Sequence, residues 1–154
     1  MAKKSKILPI YVLSGPNLNL LGLREPQIYG RISLAEIGKL VAKQAKVHGL
    51  SVVFRQSNHE GELVDWIQEA RVKSAGVIIN AGAYTHTSVA LHDALRALER
   101  PLVEVHLSNP FAREKFRHRS YISPLAQGVI VGFGAQSYVL AVDALAGLIG
   151  RTAV

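Results

Sequence analysis

The sequence contains no cysteine, few aromatic residues and no long uncharged apolar run. Without cysteine there are no disulfides, no thiolate nucleophiles and no cysteine-ligated zinc or iron–sulfur clusters. The most apolar stretch, residues 139–149, is interrupted by Asp143 and is shorter than the roughly 20 residues that cross a bilayer. We therefore expect a cytoplasmic protein with no membrane partner, whose chemistry depends on oxygen and nitrogen side chains.

Basic residues exceed acidic ones by 18 to 11, which gives a formal charge of +7. Such a balance is typical of proteins that bind nucleic acids or anionic membranes. Three of these charges, however, lie in residues 1–6, which we expect to form a disordered tail. Aromatic residues make up only 6% of the chain and are scattered, so no stacking platform for bases is evident. The composition does not favour a nucleic-acid partner, although a basic nucleic-acid-binding domain stays open as an alternative.

The chain of 154 residues, 49% hydrophobic and 19% charged, has the size and composition of a single globular domain. Short apolar runs alternate along it with amphipathic segments. The predicted strands are residues 7–14, 50–56, 76–80, 102–106 and 128–132, and the predicted helices are residues 33–49, 60–73, 87–98 and 136–149. Because the strand centres read as buried on both faces, we predict an α/β fold, a parallel sheet covered by helices on each side.

The first helix carries a specific start signal. Ser33 and Glu36 have the spacing of a capping box, in which each side chain bonds to the backbone amide of the other residue. Apolar side chains then share one helical face, and Gly49 suits the end of the helix.

In open parallel sheets a ligand binds beyond the carboxyl ends of the strands, where the strand order reverses. The segments after the first, third and fourth strands are therefore the places to look for a site. Residues 14–32 contain no predicted element and exceed the roughly 12 to 15 residues at which a loop suggests function, so we expect an active-site lid there. The polar candidates in these segments are Asn17, Asn19, Arg24, Glu25, Tyr29, Asn80, His86, Glu104, His106, Ser108 and Asn109.

Five motifs together resemble one enzyme family. They are GPNLNLLG at 15–22, REP at 24–26 with YG at 29–30, NAGAYTHTSVAL at 80–91, EVHLSN at 104–109 and REKFR at 113–117. In order and spacing they resemble the type II 3-dehydroquinate dehydratases, over about residues 7–149. One departure is the basic run RHRS at 117–120, so His118 and Arg119 receive no role.

The resemblance implies a flavodoxin-like three-layer sandwich with strand order 2-1-3-4-5. It also implies a homododecamer built as four trimers. The implied reaction is the anti elimination of water from 3-dehydroquinate to give 3-dehydroshikimate, with no cofactor and no metal.

Such an elimination needs a base, an acid and donors for an oxyanion. The resemblance implies that Tyr29 is the base, that His106 is the acid and that Asn17 holds the water or oxyanion. A phenol is a poor base at neutral pH unless a nearby cation favours the phenolate. Arg24 and Arg113 are the candidate cations. Without the resemblance, each residue has a purely structural interpretation. Tyr29 would be an aromatic side chain packed in a loop, His106 a hydrogen-bonded histidine at a strand end, and Asn17 an asparagine in a turn.

Glu104 lies two residues before His106, on the same face of the same strand, so it can reach the ring. By resemblance, the backbone of Leu107 and the amide and hydroxyl of Ser108 bind the substrate carboxylate, and Asp93 reaches into a neighbouring subunit's site. The residues that the resemblance assigns to the ring oxygens of the substrate are Asn80, His86 and Arg117.

A nucleotide- or FMN-binding module is a second alternative. Residues 132–137 (GFGAQS) lie between a strand and a helix and come close to a dinucleotide fingerprint. Ser137, however, stands where that pattern has its third glycine, and the turn follows the last strand instead of the first. A tight strand-to-helix turn is the simpler interpretation.

Overall fold

Five parallel strands form one sheet in the order β2-β1-β3-β4-β5 in the computed structural model, which describes residues 5–152. The strands are β1 (Ile10–Ser14), β2 (Val52–Gln56), β3 (Gly76–Asn80), β4 (Leu102–His106) and β5 (Gly128–Val131). The helices are α1 (Pro26–Tyr29), α2 (Leu34–Val47), α3 (Glu60–Lys73), α4 (Val89–Arg96) and α5 (Ala135–Thr152). The predicted α/β class and strand order are confirmed.

Strand β1 is the point at which the strand order reverses. Its last residue, Ser14, pairs with Gln56 of β2 on one side and with Asn80 of β3 on the other. The chain therefore leaves β1 and β3 side by side, and the segments that follow them meet at one edge of the sheet.

Two apolar layers lie against the sheet because successive side chains of a strand point to opposite faces. Ile10 and Val12 of β1 pack in one core cluster with Tyr138 and other residues of α2 and α5. Tyr11 and Leu13 of the same strand pack in a second cluster with residues of α3 and α4. The result is the predicted three-layer sandwich.

The predicted capping box is confirmed. The Ser33 hydroxyl accepts from the amide of Glu36 at 3.2 Å, and the Glu36 carboxylate accepts from the amide of Ser33 at 2.8 Å. The helix begins at Leu34 and ends at Val47, just before Gly49, whose φ of +70° favours glycine.

The prediction that the strand centres are buried on both faces is wrong for two strands, β2 and β5. Every residue of β2 is only partly buried, and Gly128 and Val129 of β5 are exposed, because both are edge strands. Strand β1 begins at Ile10 instead of residue 7, since its pairing with β2 begins there and Ile7 and Leu8 are exposed.

The segment 14–32 also differs from the prediction, because it contains structure of its own. Leu18–Leu20 is a 3₁₀ helix and Pro26–Tyr29 is the short helix α1. The helix predicted from residue 87 begins at Val89, after a 3₁₀ helix at Gly82–His86, with the Ser88 hydroxyl capping the amide of Leu91 at 2.9 Å.

Residues 1–4 of the predicted tail lie outside the described part of the chain, while Ser5 and Lys6 are exposed and belong to neither a helix nor a strand. No helix in residues 5–152 has the length and apolar character that crossing a membrane demands.

Candidate functional site

A cleft opens at the carboxyl ends of β1, β3 and β4, where the reversal of strand order predicts a site. Ten of the predicted candidates line it, namely Asn17, Arg24, Tyr29, Asn80, His86, His106, Leu107, Ser108, Arg113 and Arg117. The other candidates, Asn19, Glu25, Asp93, Glu104 and Asn109, do not line this cleft.

Two glycines let the segments after β1 and β3 touch at the floor of this cleft. A Cβ atom on Gly15 would lie 2.4 Å from the carbonyl oxygen of Ala81. Gly82 has φ of +58°, and a Cβ atom there would lie 3.1 Å from the carbonyl oxygen of Pro16. The Gly15 amide also donates to the Asn80 carbonyl at 2.7 Å. A side chain at either glycine would separate the two segments that carry the site.

The segment after β1 is held by the last residue of β2 and by a residue that follows it. The Asn17 backbone is left-handed, with φ of 67°, and its amide donates to the side-chain oxygen of Asn58 at 3.0 Å. Gln56 donates to the carbonyl of Gly15 at 3.1 Å. The backbone of Glu25 is left-handed as well and lies just before α1, whose last residue, Tyr29, lines the cleft. No sequence pattern marks Gln56 or Asn58 as site residues, because their contacts depend on the pairing of β1 with β2.

Two guanidinium groups flank the Tyr29 ring. The central carbon of Arg24 lies 5.6 Å from the ring centre and that of Arg113 lies 5.2 Å from it. Arg113 is 16% exposed, whereas Arg24 is 41% exposed and loosely paired with Glu25 at 3.7 Å. Both candidate cations therefore lie near Tyr29, and Arg113, whose Nε is 3.9 Å from Glu114, is the less exposed to solvent of the two.

Glu104 and His106 form a buried pair behind the cleft. His106 Nε2 lies 3.0 Å from Glu104 Oε1, and the two side chains are 11% and 0% exposed. The hydroxyls of Ser120 and Ser123 also donate to this carboxylate. Burial opposes ionisation of Glu104, but the hydrogen bond and charge of His106 and the two hydroxyls outweigh it, so the pKa of Glu104 lies below its ordinary value.

Asn80 is fixed by a buried network that reaches α5. Its Nδ2 donates to the Tyr138 hydroxyl at 3.1 Å, and its Oδ1 accepts from the amide of Gly82 at 3.2 Å. The same hydroxyl lies 3.0 Å from Ser14 Oγ. Burial raises the pKa of Tyr138 to about 12, so the hydroxyl stays neutral and the Asn80 amide has one orientation.

His86 and Arg117 both line the cleft, and each already has one nitrogen in a hydrogen bond to another residue of the protein. His86 Nδ1 lies 2.7 Å from the carbonyl of Arg119, and Arg117 Nε donates to Glu114 at 2.6 Å. Burial lowers the pKa of His86, the bond to Arg119 opposes this, and the nearby charges of His106 and Arg117 add to the lowering. A neutral His86 donates from Nδ1 to that carbonyl and keeps Nε2 as an acceptor.

The family model described as Dehydroquinase class II matches residues 8–146. The chain belongs to the class II dehydroquinases. It is 66% identical over 137 residues to a 3-dehydroquinate dehydratase of Azorhizobium caulinodans, a match that covers 89% of this chain and 92% of that relative. It is 62% identical over 140 residues to one of Phenylobacterium zucineum, with 91% and 97% covered.

Solved structures of the family match this dehydroquinase over nearly its whole length. The type II dehydroquinase of Butyrivibrio crossotus has a TM-score of 0.87 at 43% identity, with 90% of this chain and 97% of that chain covered. The one of Propionibacterium acnes has a TM-score of 0.87 at 40% identity, with 92% and 99% covered.

Asp93 of the dehydroquinase lies away from its own cleft. It is exposed on α4, in a groove between α3 and α4 with Gln68 and Arg71. The predicted reach of Asp93 into a neighbouring site therefore needs a second copy and stays a prediction.

The turn that resembled a dinucleotide fingerprint connects β5 to α5 in this dehydroquinase. The Ser137 hydroxyl accepts from the amide of Phe133 at 3.0 Å, and Gly132 and Gly134 have φ of +94° and +61°. The serine in the third position thus closes the turn on itself, as the simpler interpretation expects. Among the described residues no group of three or more His, Cys, Asp or Glu side chains could hold a metal ion.

Proposed function

We propose that this dehydroquinase catalyses the anti elimination of water from 3-dehydroquinate to give 3-dehydroshikimate, with its own side chains as base and acid and with no cofactor. The observation that carries the proposal is the pairing of two proton-transfer groups at one cleft. Tyr29 lies there near two guanidiniums, and His106 lies there beside the buried carboxylate of Glu104. Curated relatives named 3-dehydroquinate dehydratase, at 66% and 62% identity, agree with this substrate.

Tyr29 acts as the base. Its phenolate oxygen takes the proton next to the substrate ketone, and the C–H electron pair becomes an enolate. Arg24 and Arg113 favour the phenolate because their positive charges lie within 6 Å of the ring, at 5.6 and 5.2 Å. Asn17, which lines the same cleft, holds the water or oxyanion that stabilises the enolate.

His106 acts as the acid. The enolate re-forms the ketone, the carbon–carbon double bond forms, and the C–O bond to the neighbouring hydroxyl breaks. The departing hydroxide takes a proton from the His106 ring and leaves as water, and Glu104 stabilises the charged ring before that transfer. Tyr29 and His106 then exchange protons with solvent to reset the site.

Substrate binding uses the remaining polar groups of the cleft. The substrate carboxylate binds the backbone of Leu107 and the amide and hydroxyl of Ser108, with Arg113 3.4 Å from that hydroxyl. The ring hydroxyls bind Asn80, His86 and Arg117. These three side chains offer one fixed amide, one ring acceptor and one guanidinium.

The working enzyme is a dodecamer of four trimers, in which Asp93 completes the site of a neighbouring subunit. Each subunit is one domain over residues 1–154, with residues 14–32 as the lid. These statements, like the cytoplasmic location, rest on the family resemblance and on the sequence.

The direct test is an absorbance assay for the conjugated enone of the product. Purified protein mixed with 3-dehydroquinate should produce this absorbance, and the His106→Asn variant should produce almost none. If the wild-type protein causes no absorbance change at any substrate concentration, the proposed function is wrong.

A further inference from the structure

Two serines that the proposed mechanism does not use bind the carboxylate behind His106. We infer that Ser120 and Ser123 are positioning residues that hold Glu104 as a carboxylate, keep the proton of His106 on Nε2 and leave Nδ1 as the nitrogen that exchanges a proton with the substrate. The inference rests on the proposed role of His106 as the acid.

The Ser120 hydroxyl has only one direction in which to donate. Its oxygen accepts from the amides of Ile122 and Ser123, each at 3.0 Å. Because both lone pairs are thereby engaged, the single hydroxyl proton goes to Glu104 Oε1, 2.7 Å away. Ser120 is thus a donor that is oriented before any substrate arrives.

Ser123 supplies the matching donor on the other side of the carboxylate. Its hydroxyl donates to Glu104 Oε2, while Oε1 accepts from both Ser120 and His106. A carboxylate can accept hydrogen bonds from all three groups at once. If the carboxyl were protonated, its own hydrogen would face the hydrogen of one of these donors, and that hydrogen bond would be lost. The lowered pKa of Glu104 agrees with this arrangement.

The ionised Glu104 in turn decides which ring nitrogen of His106 carries a proton. A carboxylate only accepts, so the Nε2 that lies 3.0 Å from it must donate. In the neutral ring Nδ1 is then the unprotonated nitrogen, and in the charged ring it holds the proton that can leave.

The segment that carries both serines is fastened to the part of the chain that forms the cleft wall. The Tyr121 amide donates to the carbonyl of Thr85 at 2.9 Å, and His92 Nδ1 lies 2.5 Å from the carbonyl of Tyr121. The carbonyl of Arg119 contacts His86, a residue of the cleft. These bonds hold the two hydroxyls in register with Glu104, as positioning requires.

The cleaner variant for the test is Ser123→Ala, because the Ser120 hydroxyl also organises its own loop. Ser123→Thr keeps the hydroxyl and serves as the rescue. Ser74→Ala is the matched control, since its buried hydroxyl has no hydrogen-bond partner within residues 5–152 and lies outside the cleft.

Ser123→Ala removes a hydrogen bond to the charged carboxylate of Glu104. We therefore expect this variant to lower kcat by about 10-fold to 100-fold. Its KM should stay within about twofold of the wild-type value, because the serine does not line the cleft. Ser123→Thr should recover most of kcat, and Ser74→Ala should keep wild-type kcat. Full kcat in Ser123→Ala, or an equal loss in Ser74→Ala, would overturn the inference.

A second measurement does not depend on turnover. Nitrogen-15 NMR of histidine-labelled protein, with the His106 signals assigned by their loss in His106→Asn, reports which ring nitrogen carries the proton. We expect Nε2–H in the neutral ring of the wild-type protein and a mixture of both forms in the Ser120→Ala/Ser123→Ala double variant. A wild-type ring protonated at Nδ1 alone contradicts the inference, even if a serine variant does not fold. If the wild-type protein does not turn over 3-dehydroquinate, the proposed function fails while this measurement still tests the hydrogen bonding.

Discussion

The guanidinium carbon of Arg113 lies 5.2 Å from the centre of the Tyr29 ring, although Tyr29 follows β1 and Arg113 follows β4. The less exposed of the two guanidiniums near Tyr29 therefore comes from a remote part of the chain. Arg24, which is close in sequence, is 41% exposed, against 16% for Arg113.

The hydroxyl of Tyr29 is predicted to be essential. Tyr29→Phe keeps the ring that packs in the cleft, so we expect it to fold and to bind substrate while kcat falls by roughly 10² to 10⁴-fold. Steady-state kinetics and a thermal unfolding curve measure both properties. Tyr121→Phe is the matched control, because Tyr121 lies under Arg119 and outside the cleft. A Tyr29→Phe variant with more than about a tenth of wild-type kcat would show that another group is the base.

The two arginines at Tyr29 are predicted to contribute unequally. Arg113→Gln should lose more activity than Arg24→Gln, by about 10-fold, because the Arg113 charge is less screened by solvent. In both variants kcat should fall more than KM rises, since less positive charge then remains beside the oxygen that takes the proton. Steady-state kinetics on both variants at one pH decide the matter. An unchanged kcat with a raised KM in Arg113→Gln would mean that this residue only binds substrate.

Glu104 is predicted to make stability depend on acid pH. Its pKa in the folded protein lies below the ordinary value of 4.5, so its carboxylate stabilises the fold above that pH, and the contribution disappears as pH falls through the folded pKa. Glu104→Gln should therefore unfold more easily than the wild-type protein at neutral pH, by about 1 to 3 kcal/mol. The difference should shrink as pH falls below 4.5 in urea titrations. A difference that is the same at all pH values would indicate that Glu104 is not held as a carboxylate.

Tyr138 is predicted to matter for substrate binding from outside the cleft. Tyr138→Phe removes the hydroxyl that accepts from Asn80, which leaves a buried N–H unpaired and should cost about 1 to 3 kcal/mol of unfolding free energy. Because the Asn80 amide then loses its orientation, KM should rise more than kcat falls. Urea unfolding and steady-state kinetics on the same variant measure these two effects. A normal KM in a destabilised variant would assign Tyr138 to packing alone.

Asp93 is predicted to act in a neighbouring subunit, and mixed oligomers can test this. Tyr29→Phe and Asp93→Ala should each be poorly active, but subunits unfolded together and refolded as mixtures should recover part of the activity. Recovery occurs because some sites then combine an intact Tyr29 with an intact Asp93 from another copy. No recovery in mixtures that sedimentation shows to be assembled, or a fully active monomer, would refute the prediction.

The sequence by itself determined the elements and the pairing of residues that are close along the chain. Residues 60–73, 76–80 and 102–106 have the predicted bounds, since local periodicity and end signals decide where such elements begin and stop. The contact between Glu104 and His106 follows from the two-residue repeat of a strand. The parallel sheet and the position of the cleft follow from the alternation of strands and helices.

Only the tertiary structure decided which remote groups complete the site. Ser120 and Ser123 bind Glu104, and Tyr138 binds Asn80, through contacts between segments far apart in sequence. In the sequence Tyr138 is one more apolar position of an amphipathic helix, and the two serines read as loop residues. Local patterns report which face of an element is apolar, but a hydrogen bond between remote side chains depends on the path of the loops and on the packing of the layers.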